Sequence, residues 1–267
     1  MLWVNGTAHA SSDGLDRGLE FGDGLFETMA VIAGRIRLLE RHLDRLEAGC
    51  ARLRIPCPAR ALLVSELSRA AAAPSVGMIK LVVTRGQGGT GYRYTDGAPA
   101  HRYISAQPMR ARPASYATDG IRVQLVSTRL GWQPLLAGLK HLNRLEQVLA
   151  RAELTDEVAE GLMLDQAGHF VCGTFSNVFA VIHGALVTPA LTRCGVVGSM
   201  RGALIEAWHA THHAVEVRDV QPDELQAASE VFVSNALIGV WPVTRLDSRQ
   251  WPVGPIARQA QAWISQW

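Results

Sequence analysis

The stretch GLKHLNRLEQVLAR contains one of only two lysines in a chain of 267 residues, whose other basic residues are 24 arginines. A lysine amine attacks a carbonyl group when its pKa falls, and burial or a neighbouring cation lowers that pKa. Leu139 precedes Lys140, and His141 and Arg144 follow it. This setting suits a lysine that forms an imine (Schiff base) with a carbonyl cofactor. The alternative is a surface lysine at a strand–helix junction, and Lys80 is the competing candidate.

A second stretch is suited to binding a phosphate group. If the lysine carries pyridoxal phosphate (PLP), the chain must also supply a phosphate site and a partner for the pyridine nitrogen. In CGVVGSMRGALIE, Gly195 and Gly198 precede a predicted helix that begins near Ser199. Backbone N–H groups at the start of a helix bind phosphate. Arg45, in RHLDRL, and Asn235, in VSNALIG, are further candidate donors.

Three other patterns do not support a site. GQGGTG, residues 86–91, fits the dinucleotide-binding spacing, but YRYTDGAPA follows it instead of a helix, so a glycine loop at a lobe edge is expected. His209 and His213 are spaced for one helix face, with His212 beside them, but no carboxylate joins them, and a solvated helix end is predicted rather than a metal site. The cysteines form no C-x-x-C pair and are expected to be buried thiols: Cys50, Cys57, Cys172 and Cys194.

Composition excludes several classes of protein. Apolar residues make up 48% and charged residues 19% of the chain, as in soluble globular proteins. The net charge of +2 and the scattered arginines argue against nucleic acid as a partner. No apolar run approaches the ~18 residues that span a membrane, and the N-terminus lacks the features of a signal peptide. A cytoplasmic protein is expected.

The alternation of apolar residues predicts two lobes of mixed α+β structure. Strands and helices alternate through residues 1–110, the small N-terminal lobe. Residues 111–119 lie in a stretch rich in proline and small residues and are the predicted linker. Residues 120–267 form the larger lobe, in which GLMLDQAGHFVCGTFSNVFAVIHGALVTPA predicts three or four strands with turns at Gly168 and Gly184.

Six motifs resemble those of the fold-type IV PLP enzymes, which include branched-chain and D-amino-acid aminotransferases and the aminodeoxychorismate lyases. The motifs follow the family order and are DRGLEFGDGLFET (16–28), RHLDRL (41–46), GLKHLNRLEQVLAR (138–151), GTFSNVF (173–179), GVVGSMR (195–201) and SNALIGVWPV (234–243). KHLNRLEQ together with TRG-x-GG-x-GY (84–92) most resembles the lyases. The resemblance implies a two-lobed homodimer whose larger lobe has a barrel-like sheet, with PLP bound between the lobes.

The resemblance assigns roles to individual residues. Lys140 matches the Schiff-base lysine, and Arg45 matches the arginine that binds the cofactor phosphate. Ser199 and Met200 match the residues whose backbone N–H groups reach that phosphate, and Asn235 matches a further phosphate contact. The remaining assignments are Asn177 and Cys172 to the cofactor site and Phe26 and Thr28 to the substrate site.

Cys172 departs from the family pattern. The family usually has a glutamate five residues before the asparagine of SNVF, where it pairs with the protonated pyridine nitrogen, and this chain has Cys172 there. A neutral thiol holds that proton less firmly than a carboxylate does. This substitution favours an elimination that yields an aromatic product over transamination. Asp165 is a distant alternative partner for the nitrogen.

Thr90 is the second departure, because it stands where the lyases commonly have an arginine for a substrate carboxylate. Arg93 and Arg144 are therefore the candidate carboxylate ligands. The expected activity is conversion of 4-amino-4-deoxychorismate to 4-aminobenzoate and pyruvate in folate biosynthesis, with Lys140 as general base. An aminotransferase on the same fold is the alternative, and a noncatalytic PLP-binding protein is a third hypothesis.

Overall fold

A computed structural model describes residues 2–4, 7–9, 15–211 and 214–267. The helices in these ranges are α1 (Arg17–Phe21), α2 (Leu39–Leu53), α3 (Arg60–Ala71), α4 (Ser115–Thr118), α5 (Leu145–Ala152), α6 (Ser199–Ala210), α7 (Pro222–Ala227) and α8 (Pro255–Ile264). The first strands are β1 (Leu2–Val4), β2 (Thr7–His9), β3 (Gly24–Ile32), β4 (Arg35–Ile36), β5 (Met78–Thr84), β6 (His101–Gln107) and β7 (Ile121–Leu125). The remaining strands are β8 (Glu160–Leu164), β9 (Phe170–Gly173), β10 (Asn177–Ile182), β11 (Ala185–Pro189), β12 (Val215–Arg218), β13 (Glu230–Asn235), β14 (Gly239–Leu246) and β15 (Arg249–Gln250).

The chain divides into two compact units. Unit 1 contains residues 1–109 and 140–143, and unit 2 contains residues 110–139 and 144–267. This division differs from the expected one, because the short segment 140–143 belongs to the N-terminal unit. The reason is local pairing: the backbone N–H of Phe26 donates to the carbonyl of Lys140 at 2.9 Å. The N–H of Leu142 likewise donates to the carbonyl of Gly24 at 3.0 Å, so this segment extends the β3 edge.

Unit 1 is built on an antiparallel sheet in the order β4-β3-β5-β6, with α2 and α3 packed on one face. Side chains alternate between the two faces of a strand. The helix-facing residues are mostly buried apolar side chains, among them Met29, Ile79 and Leu81, and Leu43 and Leu63 of the helices are buried as well. The opposite face carries the more polar side chains of the same strands.

Unit 2 is built on a nine-stranded mixed sheet in the order β12-β11-β10-β13-β14-β7-β8-β9, with β15 added to β14. Strand β9, at one end of this order, packs on β10 and β11 near the other end, so the sheet curls into a half-barrel. Phe179 of β10 and Phe232 of β13 are paired across the sheet, and their rings stack with centroids 5.0 Å apart. The predicted α+β fold with a barrel-like sheet is confirmed. The predicted turns are confirmed too, since Gly168 and Gly184 both have a positive φ, at 90° and 83°.

Three short helices have no recognisable periodic signal in the sequence. Helix α4 lies in the predicted linker and packs on β14. Helix α1 has Asp16 as its N-cap, and α7 begins with a capping box between Gln221 and Glu224. Helices of four to six residues are too short to show an amphipathic period. No helix among the described residues is both long and apolar enough to span a membrane.

Candidate active site

Lys140 lies against an aromatic ring in unit 1. Its Nζ atom is 4.1 Å from the centroid of the Phe26 ring, which places the ammonium over the ring face. The backbone hydrogen bond from Phe26 N–H to the Lys140 carbonyl fixes the same pair at the main-chain level. A cation over an aromatic face is stabilised electrostatically. The structure therefore brings together two of the predicted site residues, Lys140 and Phe26.

Lys80 lies close to Phe26 and Thr28, the two residues that were predicted to bind substrate. Its Nζ atom is 5.0 Å from the centroid of the same Phe26 ring. In the β3–β5 pairing, Lys80 is opposite Thr28 and Val82 is opposite Phe26, so these side chains share the face that α2 and α3 do not cover. The two lysines of the chain thus lie at one ring. From the sequence, Lys80 was expected only as a competitor of Lys140, and the one signal for its place beside Phe26 is the lone charge in MIKLVV, which indicates a sheet face that no helix covers.

Arg45 belongs to a buried ionic cluster on the opposite face of the same sheet. Its Nε donates to Oε1 of Glu27 at 2.8 Å, and its Nη2 donates to Oε2. His42 Nδ1 lies 2.6 Å from Oε2 of Glu27. Burial opposes ionisation of Glu27, but Arg45 and His42 outweigh it and lower its pKa from the ordinary 4.5 to about 2. Burial also lowers the pKa of His42.

Glu27 was missed by the sequence analysis. It lies between Phe26 and Thr28 on β3, so it points to the core while they point away from it. A carboxylate at a core-facing position of a strand needs partners that compensate for its burial, and Arg45 on α2 supplies a cation here. Glu27 holds the Arg45 side chain through this bidentate pair. The predicted contact of Arg45 with the cofactor phosphate stays a prediction.

The predicted phosphate turn lies at the start of α6 in unit 2. Helix α6 begins at Ser199 as predicted, with Gly198 as its N-cap, and no side chain caps it. Ser199 and Met200 are both buried. The N-terminal amides of a helix carry a partial positive charge and bind anions. Gly195 adopts a positive φ of 83°, which favours glycine at this turn.

Asn177 holds this turn in place. Its Nδ2 donates to the carbonyl of Val196 at 3.0 Å. A Cβ atom on Gly198 would lie 2.0 Å from Oδ1 of Asn177, so the amide occupies the space that any larger residue would need. The predicted residues Asn177 and Ser199 are therefore joined through the Val196–Gly198 backbone.

Asn235 orders a neighbouring turn. Its Oδ1 accepts from the backbone N–H groups of Leu237 at 2.8 Å and Ile238 at 2.9 Å. Its Nδ2 donates to the carbonyl of Phe175 at 3.1 Å. Asn235 thus connects the end of β13 to the β9–β10 turn. Its predicted contact with phosphate stays a prediction.

Glu160 is a buried carboxylate that the sequence analysis did not single out. It lies on β8, where all five residues are buried, and its own exposure is 0%. Oε1 accepts from the N–H of Gly161 at 2.8 Å, and from the N–H and hydroxyl of Thr174 at 3.0 and 2.5 Å. Oε2 accepts from the N–H of Phe175 at 3.3 Å and the hydroxyl of Ser176 at 2.7 Å. Burial raises the pKa of Glu160, and these donors oppose that rise.

Cys172 is a neutral thiol. It is buried in an apolar cluster with Met163 and Cys194, and burial raises its pKa. The charge of Arg144, at the N-cap of α5, acts on it in the opposite direction. Burial lowers the pKa of Arg144 itself.

Asp165, the distant alternative to Cys172, is already engaged. It accepts from the backbone N–H groups of Ala167 and His169, both at 2.9 Å, and pairs with Arg193 at 3.4 Å. These contacts close the β8–β9 hairpin. The sequence proposal that Asp165 serves the pyridine nitrogen receives no support from this geometry.

The segment that precedes Lys140 in the chain pairs with the phosphate turn. Within unit 2, the N–H of Gly138 donates to the carbonyl of Gly195 at 2.9 Å, and the N–H of Val197 donates to the carbonyl of Gly138 at 3.1 Å. Gly138 has a positive φ of 82°. This Gly138 clip holds the chain two residues before the lysine.

The glycine loop at residues 86–91 is wrapped around one arginine. Arg17 is buried and donates to the carbonyls of Gly88 at 3.3 Å and Gly91 at 2.9 Å. The next element after the loop is strand β6. Thr90 and Arg93 exchange backbone hydrogen bonds of 2.9 and 3.1 Å, and both are exposed. Their predicted relation to substrate stays a prediction.

The remaining candidate was the histidine group of α6. His209 lies in the last turn of that helix, whereas His212 and His213 lie outside the described residues. Within the ranges that are described, no group of three or more His, Cys, Asp or Glu side chains is placed to hold a metal ion.

Comparison with known proteins identifies the family to which this chain belongs. The model of the family "Amino-transferase class IV" matches residues 24–246, and this chain belongs to that family.

Three individual proteins show what the chain is similar to within and around this family. The chain is 35% identical over 267 residues to the aminodeoxychorismate lyase of Vibrio harveyi, covering 98% of each sequence. It superimposes on the crystal structure of 4-amino-4-deoxychorismate lyase from Pseudomonas aeruginosa with a TM-score of 0.91 at 50% identity, covering 99% of this chain and 98% of the other. The PLP-bound form of a hypothetical aminotransferase from Mycobacterium tuberculosis shares the fold, with a TM-score of 0.79 at 23% identity, covering 98% and 94%.

The residues of this chain fit a cofactor with an aldehyde and a phosphate group. The amine that would take the aldehyde is half-buried over Phe26. The anion site is the α6 start, which has no side-chain cap and a glycine where a Cβ would strike Asn177. Both chemical requirements of such a cofactor are therefore present among the described residues.

Proposed function

We propose that this protein is a PLP-dependent lyase that converts 4-amino-4-deoxychorismate to 4-aminobenzoate and pyruvate, a reaction of folate biosynthesis. The observation that carries the proposal is the similarity to a lyase of that name at 50% identity over almost the whole of both chains. The geometry of Lys140 and the α6 turn supports the same conclusion.

Lys140 is the proposed catalytic residue. PLP, when its aldehyde carbon is joined to an amine, withdraws electrons from the carbon that bears the nitrogen. We propose that Lys140 would hold the cofactor at rest, that the substrate amine would replace it at the aldehyde carbon, and that the freed Nζ atom would then remove the proton from the ring carbon bearing the substrate nitrogen. The C–O bond to the enolpyruvyl group breaks as the ring becomes aromatic. Lys140 then returns a proton to the methylene carbon of enolpyruvate, which gives pyruvate.

The binding roles are divided among other residues. Backbone N–H groups of Ser199 and Met200 are proposed to bind the cofactor phosphate, as helix N-termini bind anions. Lys80 shares the Phe26 ring with Lys140 and is proposed to bind a substrate carboxylate. This assignment adds Lys80 to the carboxylate candidates Arg93 and Arg144.

A direct test combines an assay with chemical mapping. The purified protein should release pyruvate from 4-amino-4-deoxychorismate without an added 2-oxo acid. Borohydride should reduce the coloured protein and leave the modification on Lys140. Lys140→Ala should lower pyruvate release by about 10³-fold or more, while Lys80→Ala should mainly raise KM. Faster amino transfer than pyruvate release would instead favour the aminotransferase alternative, and modification of Lys80 would overturn the lysine assignment.

We also propose that the protein is a homodimer, and α5 provides the support. Leu145, Val148 and Leu149 follow a helical spacing and are 76%, 60% and 61% exposed. An apolar stripe of this kind on a surface helix indicates a partner surface. Light scattering should give about twice the chain mass of 28.9 kDa, and Leu149→Glu should reduce that mass by half. Leu62→Glu, at an exposed position of α3, is the control and should not change it. A dimer that survives Leu149→Glu would contradict the assignment of this surface.

A cytoplasmic location is proposed as well. All four cysteines are free thiols, which is typical of proteins in a reducing compartment. Cell fractionation of a tagged chain tests the location, and recovery from the periplasm or membrane fraction would refute it.

A further inference from the structure

Glu160 has an unusual environment for a buried carboxylate. Its two oxygens accept from backbone amides and hydroxyls of one short turn, Thr174–Ser176, and from the N–H of Gly161. The turn therefore folds around the carboxylate, which acts as its centre. Carboxylates that accept several hydrogen bonds form strong, well-oriented contacts.

Two glycines show how closely the backbone approaches this centre. A Cβ atom on Gly173 would lie 2.6 Å from Oε2 of Glu160 and 2.3 Å from the hydroxyl of Ser176. A Cβ atom on Gly198 would lie 2.0 Å from Oδ1 of Asn177. These distances are shorter than real Cβ contacts, so a larger residue at either position would have to displace the side chain that it meets. Gly173 lies beside Glu160 and Ser176, and Gly198 lies beside Asn177, the residue that follows Ser176 in the chain.

The contacts form a chain from Glu160 to the start of α6. Glu160 fixes Ser176 through its hydroxyl, and Asn177 is the next residue along the backbone. Asn177 in turn donates to the carbonyl of Val196. Only Val197 and the N-cap Gly198 separate Val196 from the first residue of α6. The orientation of the α6 amides therefore depends on where the Thr174–Ser176 turn holds Asn177.

A second contact fixes the other side of the turn. Asn235 donates to the carbonyl of Phe175, while the N–H of Phe175 donates to Glu160. The Phe175 peptide groups are thus held from two directions. A turn restrained in this way has little freedom to adapt when its central acceptor changes.

We propose that Glu160 is a positioning residue for the phosphate site: its carboxylate sets the Thr174–Ser176 turn, and through Asn177 it sets the N-terminal turn of α6 that binds the cofactor phosphate. The inference rests on the proposed function, because it takes the α6 turn as the phosphate site. Glu160 does not touch the cofactor. Its effect is confined to the part of the binding energy that the phosphate supplies.

The carboxylate matters because every group around it is a donor. Glutamine has the same shape, but one of its two terminal atoms is an NH₂ group. A hydroxyl can rotate to accept from that NH₂ group, but a backbone N–H cannot, so Glu160→Gln must point an N–H bond at the N–H of Phe175 on one side or at those of Gly161 and Thr174 on the other. The turn has to shift to relieve that contact, and Asn177 must shift with it.

The test compares PLP with pyridoxal, which has the same aldehyde and ring but no phosphate. Kd values for both are measured on the apoprotein by absorbance and fluorescence titration. For Glu160→Gln, Kd for PLP should rise about 10-fold or more, while Kd for pyridoxal changes less than about 2-fold. Ser176→Ala removes one hydroxyl donor and is a milder variant that should shift the same ratio in the same direction by a smaller factor.

Glu230→Gln is the matched control. Glu230 is also buried in unit 2, and it accepts from the N–H groups of Ile256 and Ala257 at the start of α8. It should lower stability as Glu160→Gln does, but leave the ratio of the two Kd values unchanged. This ratio separates a positioning role from a purely structural one.

Two outcomes overturn the inference. The first is an unchanged ratio in Glu160→Gln and Ser176→Ala, and the second is an equal change of the ratio in the Glu230→Gln control. A failure of the proposed function would look different, because the unmodified protein itself would then bind PLP no more tightly than pyridoxal.

Discussion

The two units each bury a glutamate beside a candidate site residue, and they stabilise it in opposite ways. In unit 1, Glu27 is paired with the cation Arg45 and with His42, and its pKa is about 2. In unit 2, Glu160 accepts from neutral amides and hydroxyls, and burial raises its pKa. The first arrangement fixes a charged side chain, whereas the second fixes a backbone turn. A buried carboxylate therefore has different functions according to whether its partners carry charge.

The largest expected effect is the loss of stability when the ion pair between Glu27 and Arg45 is broken. Glu27→Gln leaves the Arg45 guanidinium beside His42 without its carboxylate. Breaking a buried ion pair by removing one partner costs about 3–5 kcal/mol. Urea unfolding should show a fall of this size in the free energy of unfolding, with a smaller fall of about 1–3 kcal/mol for Glu160→Gln. Equal losses in the two variants would contradict the contrast between the units.

The two carboxylates should also respond differently to pH. The pKa of Glu27 is lower in the folded chain than its ordinary 4.5, so its stabilisation is present above pH 4.5 and is lost as pH falls towards 2. A shift from 4.5 to about 2 corresponds to about 3 kcal/mol. The difference in unfolding free energy between the unmodified chain and Glu27→Gln should therefore shrink as pH falls.

Glu160 provides the comparison for that experiment. Its pKa is raised by burial, so the linked contribution is present at low pH and is lost as pH rises through the folded pKa. The difference between the unmodified chain and Glu160→Gln should not shrink on acidification. A parallel decline for both glutamates would show that their environments are alike in solution.

Placing a carboxylate at residue 172 of unit 2 should change which reaction the protein favours. Cys172→Glu introduces the side chain that the family usually has at this position, beside the charge of Arg144. If that position faces the pyridine nitrogen, a carboxylate should hold the proton there more firmly. Amino transfer to a 2-oxo acid should then rise about 10-fold relative to pyruvate release, equivalent to about 1.4 kcal/mol. Cys172→Ser is the control, because it keeps a neutral group and should leave the ratio of amino transfer to pyruvate release unchanged. An unchanged ratio in Cys172→Glu would show that residue 172 does not face the pyridine nitrogen.

The smallest effect is expected for an exposed ionic cluster. Arg60 donates to Glu40, Asp44 and Glu47 on α2, all at the surface. Exposed ion pairs contribute little because water and salt screen them. Arg60→Ala should change the melting temperature by less than about 2 °C. A shift as large as that of Glu27→Gln would show that burial is not what distinguishes the two clusters.

Much of this architecture was predictable from local sequence patterns. Alternation in LFETMAVIAGRIRLL is typical of two strands joined by a turn, as β3 and β4 are, and the leucine spacing in LERHLDRLEAGCARL is typical of a helix, as α2 is. The glycines before Ser199 predicted the start of α6. These features depend on residues close together in the chain, where spacing and turn preferences decide the structure.

The buried carboxylates were not predictable in the same way. Glu160 begins the apolar run EGLML, and its acceptor role depends on a turn 14 to 16 residues later. Glu27 depends on Arg45, which lies 18 residues away on another element. Nor does a local pattern reveal that Lys140 returns to pair with β3 in unit 1. Such features need the tertiary fold, because a single sequence does not state which distant donor meets which acceptor.

The Gly138 clip limits how the chain can vary in length. Two hydrogen bonds fix the register between residue 138 and the segment 195–197, so an inserted residue within this paired segment would break at least one of them. Natural insertions and deletions should therefore be absent from this segment among homologues. The exposed turn around Gly97, where a Cβ would meet no atom within 4 Å, can accept extra residues far more easily.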